Sequence, residues 1–298
     1  MRIFRKRRKA CLPMKYKKLI DSELRMIARK VPYNKAVIKC ANIFQTISFA
    51  LTKILMGVAG RKITIAGHKG LKFKVEIFEP TGADEKLPCL IYIHGGAFSY
   101  KAAVYHKKLA CIYAMEANCR VYFPDYHLTP KYPYPAAYED VLALYRWIME
   151  NADEFGIDAE KIGVAGDSAG ASIAAHADCK TDSMKKFYDT PLWNARNNRR
   201  MWSYYCRDLK ADDAYGASPM HSRLPQNIPD TYIETAEYDC LHDEGILYGK
   251  RLSRSGAKVE INETIGTIHG YDSAINTKIA MRNIEKRILF LRKGFGGR

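Results

Sequence analysis

Gly166-Asp167-Ser168-Ala169-Gly170 sets one serine between two glycines, directly after the apolar run Lys161–Ala165 and at the start of an apparent helix. A serine on a sharp strand-to-helix turn holds its oxygen clear of the backbone, where it can attack a carbonyl carbon. A Cβ two residues to either side would crowd that turn, which accounts for the glycines. The helix behind it offers unpaired main-chain N–H groups and positive potential to an oxyanion. A second glycine turn, His94-Gly95-Gly96-Ala97-Phe98, closes the run Leu87–Ile93. Two glycines there let N–H groups turn toward a substrate oxygen, and one such donor is worth about 10²–10³ in rate.

A serine hydroxyl needs a base to take its proton, and the base needs a carboxylate to orient it. The chain order for this type of turn is serine, then acid, then histidine. His269, the last of eight histidines, follows the run Lys258–Ile265 and precedes a glycine that leaves the ring room to reach the serine. Asp239 follows the run Asp230–Ala236, and Asp243 stands four residues on as a rival. Asp239 is preferred because it lies nearer the strand end. Ser168, Asp239 and His269 are thus the expected nucleophile, orienting acid and base.

These side chains must be carried to one place by the elements around them. Lys62–Ala66 and Leu71–Glu79 alternate as paired strands do. Leu87–Ile93, Arg120–Pro124, Lys161–Ala165, Asp230–Ala236 and Lys258–Ile265 are further strands, and Ala136–Asn151 is an amphipathic helix. Strands alternating with helices predict an α/β protein with a mostly parallel sheet covered by helices on both faces. Sites in such sheets lie beyond the carboxyl ends of the strands, where His94, Asp125, Ser168, Asp239 and His269 all fall.

The motifs HGGAF (94–98), DYHLTPKYPYPAAYEDV (125–141), GDSAG (166–170), AEYDCLHDEG (236–245) and IHGYDS (268–273) stand in matching order over residues 87–275. Together they resemble the hormone-sensitive-lipase-like branch of the α/β-hydrolases, which includes many microbial carboxylesterases. The resemblance implies hydrolysis of carboxylic esters through an acyl-serine intermediate, with no metal or organic cofactor. It implies Ser168, His269 and Asp239 in the roles above, and an oxyanion environment from Gly95, Gly96, Ala97 and Ala169. Ala97 stands where the family often has a third glycine; a main-chain donor tolerates the methyl. The resemblance also implies a helical cap over an acyl pocket. Residues 1–60 (basic arm and cap helices) and an insert at about 180–225 fit that cap, with the catalytic domain over 61–298. Trp193, Trp202, Tyr204 and Tyr205 suit both the cap and ordinary helix packing.

One departure matters. No apolar strand run lies between Ala175 and Pro229, and the helix after Ser168 is cut short. One central strand after the nucleophile helix is missing. Either the Asp239 strand moves inward by one strand spacing, ~4.8 Å, or a gap stays in the sheet. Misplacement by ~1 Å can cost ~10²-fold in rate, so impaired catalysis is the expected hazard. The alternative reading is a non-catalytic binder of small ligands on the same fold.

The chain has 298 residues and a net charge of +16, with 47% hydrophobic and 27% charged residues, which excludes a disordered or disulfide-dense class. Nine basic residues and no acid fall in residues 1–20. Two readings stand for this arm: a solvated terminus, and weak contact with an anionic membrane face. No basic stripe interleaved with aromatics runs through the rest, so nucleic acid is not an expected partner. Eight cysteines show no metal-finger or C-x-x-C spacing, and Cys89 and Cys119 read as buried thiols in a reducing cytoplasm. The run Cys40–Thr52 is shorter than the about 20 residues a bilayer span needs. Its stripe of Ile43, Phe44, Ile47, Leu51, Ile54 and Leu55 predicts a helix packed on the core, with a helix lying on a membrane surface as the second reading.

Overall fold

The computed structural model describes residues 16, 18–83, 85–174, 181–209, 220 and 223–297. The strands are β1 (Val58–Ala66), β2 (Lys72–Pro80), β3 (Leu87–Ile93), β4 (Arg120–Pro124), β5 (Ile157–Gly166), β6 (Thr231–Tyr238) and β7 (Val259–Ile268). The helices are α1 (Lys35–Leu51), α2 (Val104–Glu116), α3 (Ala136–Glu150), α4 (Ala169–Ala174), α5 (Asp182–Lys186), α6 (Ala195–Tyr205), α7 (His242–Arg254) and α8 (Lys278–Gly294). Five strands form one sheet in the order β1-β2-β4-β3-β5. β1 pairs antiparallel with β2, and β2 antiparallel with β4. β3 lies parallel between β4 and β5, in the registers Leu90↔Val121 and Ile91↔Val164.

β3 is the centre of the core. Leu90, Ile91, Tyr92 and Ile93 are all buried although successive side chains point to opposite faces. Both faces of this strand are therefore covered, which is why it reads as a continuous apolar run rather than an alternation. α2 packs on β2 and β4 through a face that includes Leu109, Ala110, Tyr113 and Ala114. α3 buries Leu144 and Ile148, as its periodicity predicts, but leaves Tyr145 at the surface. Cys89 and Cys119 are buried, and burial pushes both thiols up, Cys119 to about 12.

β6 and β7 pair parallel with each other in a separate two-stranded sheet, starting at Thr231↔Val259. Among the described residues no strand joins β5 to β6. Of the two outcomes foreseen for the missing strand, the gap is the one observed. Segments of β5 (Ile162–Gly166) and β6 (Tyr232–Thr235) line the same cavity, and Val164, in the middle of β5, is more than half exposed. What spans the seam is a helix. α8 packs on β5, where Phe295 just beyond it lies against Gly163. From the same helix, Arg287 reaches Glu234 on β6 through Nη2 and Asp272 through Nη1 (3.0 Å).

The N-terminal helix departs from expectation. α1 starts at Asn34, whose side chain caps the helix by accepting from the Val37 N–H. Its inward face is Ile38, Asn42 and Phe49, and the predicted core stripe faces water. Ile43, Phe44, Ile47, Leu51 and Ile54 are exposed, and only Leu55 of that set packs on the core. Periodicity established an amphipathic helix but not which side the core takes. No helix among the described residues is long and apolar enough to cross a membrane.

Candidate active site

β5 ends at Gly166 and α4 begins at Ala169, so Ser168 occupies the turn between them. Its φ is +51°, a left-handed conformation that a non-glycine residue holds only under constraint. The flanking glycines supply that constraint. A Cβ on Gly166 would lie 2.4 Å from the carbonyl carbon of Gly170, and one on Gly170 would lie 2.1 Å from the carbonyl oxygen of Ile93. Both neighbours are backbone and cannot step aside.

Ser168 Oγ–H donates to His269 Nε2 at 2.8 Å, and His269 Nδ1–H donates to Asp239 Oδ2 at 2.7 Å. The second oxygen of Asp239 accepts from the Leu241 N–H (3.0 Å), which fixes the carboxylate at the start of α7. Asp239 and His269 come from the ends of β6 and β7, and Ser168 comes from the end of β5 across the seam. Asp243, the rival carboxylate, does other work: it accepts from the Ser183 N–H (2.7 Å) at the start of α5 and faces the His242 ring. Burial by itself would lower the pKa of His269. The charge of Asp239 and its hydrogen bond, aided by Asp272 and Asp167, outweigh burial and raise it above 6.5.

The turn after β3 packs on the serine turn. A Cβ on Gly95 would stand 2.9 Å from the Asp167 carbonyl oxygen, and one on Gly96 (φ +126°) would stand 2.6 Å from that of Tyr100. Ala97 follows with φ +55°, so a methyl is carried in a conformation that favours glycine. The main-chain N–H groups of Gly96, Ala97 and Ala169 donate no hydrogen bond among the described residues. The loop is held from the cap side. Tyr33 OH and Ser99 Oγ are 2.6 Å apart, Ser99 Oγ and Thr129 Oγ1 2.6 Å, and Asn42 of α1 donates to the Ser99 carbonyl (2.9 Å).

Aromatic side chains from outside the sheets surround the site. The Trp193 ring lies 6.1 Å from the His269 ring and 5.5 Å from Tyr33, and Tyr205 stacks on Phe98 at 3.8 Å. Trp193 and Trp202 line the cavity, whereas Tyr205 is buried against Phe98. The cavity measures about 1790 Å³ and extends from Ser168 and His269 into the seam. Residues 180, 210–219 and 221–222 of the expected insert, and residues 1–15 and 17 of the expected basic arm, lie outside the described residues.

Two features of the site had no local signal. Asp167, beside the serine, is largely but not fully buried; its Oδ2 accepts from Tyr92 OH and lies 3.9 Å from His106 Nε2. Burial, with the Asp272 charge, pushes the Asp167 carboxyl up to about 7 against the pull of Arg287. The cluster of Arg287, Glu234 and Asp272, with Tyr271 OH donating to Glu234 Oε1 (2.6 Å), anchors the loop that carries His269. Three charges from β6, the loop after β7 and α8 meet only in the folded chain. His94, by contrast, is structural: it is fully buried, stacks on Tyr126 at 4.5 Å, and burial lowers its pKa to about 4.

A five-stranded mixed sheet, a serine on a strained strand-to-helix turn, and an acid and a histidine at later strand ends define a class. The chain belongs to the α/β-hydrolase fold family, whose model matches residues 90–182 and 177–273. Carboxylesterase NlhH of Mycobacterium tuberculosis is 30% identical over 240 residues, covering 69% of this chain and 73% of that protein. Ethyl acetate hydrolase of Pseudomonas putida is 26% identical over 237 residues, covering 70% and 74%. Among solved structures, esterase LipW from Mycobacterium marinum matches with a TM-score of 0.86 at 25% identity, over 96% of this chain and 99% of that one. A bacterial heroin esterase matches with a TM-score of 0.83 at 26% identity, over 93% and 98%.

Proposed function

We propose that this chain is a serine carboxylesterase that hydrolyses short- to medium-chain acyl esters. The observation that carries the reading is the unbroken hydrogen-bond chain Ser168–His269–Asp239 at 2.8 and 2.7 Å. His269, neutral, takes the proton from Ser168 as its oxygen bonds to the ester carbonyl carbon. The negative oxygen that develops is met by N–H groups of Gly95, Gly96, Ala97 and Ala169. As the tetrahedral species collapses, the C–O bond to the alcohol breaks and His269 returns the proton to the leaving oxygen. Water, deprotonated by the same ring, then releases the acid from the acyl-serine. Asp239 keeps the tautomer with Nδ1–H and stabilises the imidazolium.

The buried thiols fit a reducing cytoplasm, and the basic terminus fits weak contact with an anionic membrane face. The reading is tested with p-nitrophenyl acetate. The native chain should turn it over, and Ser168→Ala should lose at least about 10³-fold in kcat. Equal turnover by both chains would remove Ser168 from the reaction.

A further inference from the structure

The outward face of α1 is its most apolar face. Ala36, Cys40, Ile43, Ile47, Ala50 and Leu51 recur at helical spacing along the solvent side, with Phe44 at the border. Ile43 and Ile47 are each 55% exposed, Phe44 71% and Leu51 78%; Met56 just beyond is 96% exposed. A helix normally turns such a stripe to the core. Here the inward side is already filled by Ile38, Phe49 and the Asn42 hydrogen bonds to the Ser99 loop. A contiguous exposed apolar patch of this kind marks an interaction surface.

Charge identifies what the surface meets. Residues 1–75 carry 20 lysines and arginines against two acids, Asp21 and Glu23, while the remaining 223 residues sum to −2. The chain's entire positive excess therefore lies on the segment that presents the stripe. No acid occurs between Glu23 and Glu76, and Lys35 and Lys39 stand exposed beside the stripe on α1 itself. An apolar helical face bordered by lysines is the pattern of a helix that lies in the plane of a membrane interface. Phosphate and carboxylate headgroups attract the basic residues, and the apolar side chains enter the acyl boundary.

We propose that α1 docks this chain on the surface of an anionic lipid bilayer, its outward stripe inserted among the acyl chains. Phe44 belongs both to the exposed border and to the cavity wall, as does Met26, which is 82% exposed. Docking therefore brings the mouth of the cavity against the membrane. Esters dissolved in the bilayer then enter without crossing water; this last point rests on the carboxylesterase reading, whereas docking itself does not.

The test is flotation of the full chain with vesicles of phosphatidylcholine alone and of phosphatidylcholine with about 30% phosphatidylserine. The native chain should float with the anionic vesicles and not with the neutral ones. Ile43→Ser, Ile47→Ser and Leu51→Ser combined should reduce binding at least about ten-fold. These three residues are exposed and lie outside the cavity wall, so turnover of p-nitrophenyl acetate stays unchanged and reports that the variant folds. A second variant, Lys35→Glu with Lys39→Glu, should also weaken flotation, and added salt should deepen its loss less than that of the native chain. Native failure to float, or flotation of the serine variant as strong as native, overturns the proposal. A concentration-dependent dimer abolished by the serine variant, without vesicle binding, overturns it in favour of a second copy of this chain. Flotation requires no catalysis, so a chain that floats but cleaves no ester refutes only the enzymatic reading.

Discussion

Ser168 Oγ and His269 Nε2 stand 2.8 Å apart, yet they belong to sheets that share no ladder. The missing strand was expected to endanger this contact, because a shift of one strand spacing would separate the groups. In the structure β6 and β7 keep their distance from β5, and the seam leaves the hydrogen bond in place. The Arg287 cluster explains how. Glu234 of β6 and Asp272 of the loop after His269 are both held by one guanidinium on a helix that also packs on β5.

Removing that guanidinium leaves two buried carboxylates facing each other. Arg287→Met should lower the free energy of unfolding by about 3–5 kcal/mol, because unpaired buried charge costs more than the pair contributes. Denaturant titration followed by far-ultraviolet circular dichroism measures it. A change within about 0.5 kcal/mol, the level of an ordinary surface substitution, would refute the clamp.

The two candidate acids make opposite predictions. Asp239 contacts His269 and Asp243 contacts Ser183, so Asp239→Asn should cut kcat by about 10⁴ through loss of the correct tautomer. Asp243→Asn should loosen the start of α5 and leave kcat far less affected. Steady-state kinetics on p-nitrophenyl acetate compares the two; a larger loss at Asp243 would reverse the assignment.

The pH profile follows from the sign of the His269 shift. The ring works as a base only when neutral, and its pKa is raised above 6.5 by Asp239, Asp272 and Asp167 acting against burial. The rate is therefore full at alkaline pH and is lost as pH falls through a value above 6.5. Asp272→Asn withdraws one of the raising charges, so the acid limb should move to lower pH. Profiles of kcat/KM over roughly pH 5 to 9 report it; an unmoved or upward limb counts against this account.

Local chain rules made the serine turn readable. Gly166 is required by a backbone collision within the turn itself, which the sequence alone carries, whereas Gly170 is required by the close approach of Ile93 on β3. β3 was equally plain, because a strand covered on both faces is apolar at every position. β1 and β5 begin earlier than their patterns indicate, at the buried Val58 and Ile157, because the residues that follow each of these, 59–62 and 158–161, are largely exposed and break the apolar pattern. Asp239 and Asp243 could be ranked but not separated, since the choice depends on where His269 and Ser183 arrive from elsewhere in the chain. The stripe of α1 was readable as a stripe and misread as core, because periodicity carries no information about what occupies the facing side. The Arg287 cluster had no signal at all: one of three arginines on an amphipathic helix looks like any surface cation until β6 and the His269 loop close around it.

The seam gives this molecule an unusual thermometer. Ser168 and His269 ride on separate frames, so under the proposed mechanism a relative slip of ~1 Å would cost ~10²-fold in rate while every strand stayed hydrogen-bonded within its own sheet. Warming should silence catalysis before it melts secondary structure. A covalent phosphonyl group on Ser168 that also contacts His269 would rivet the two frames together and draw the two temperatures toward one.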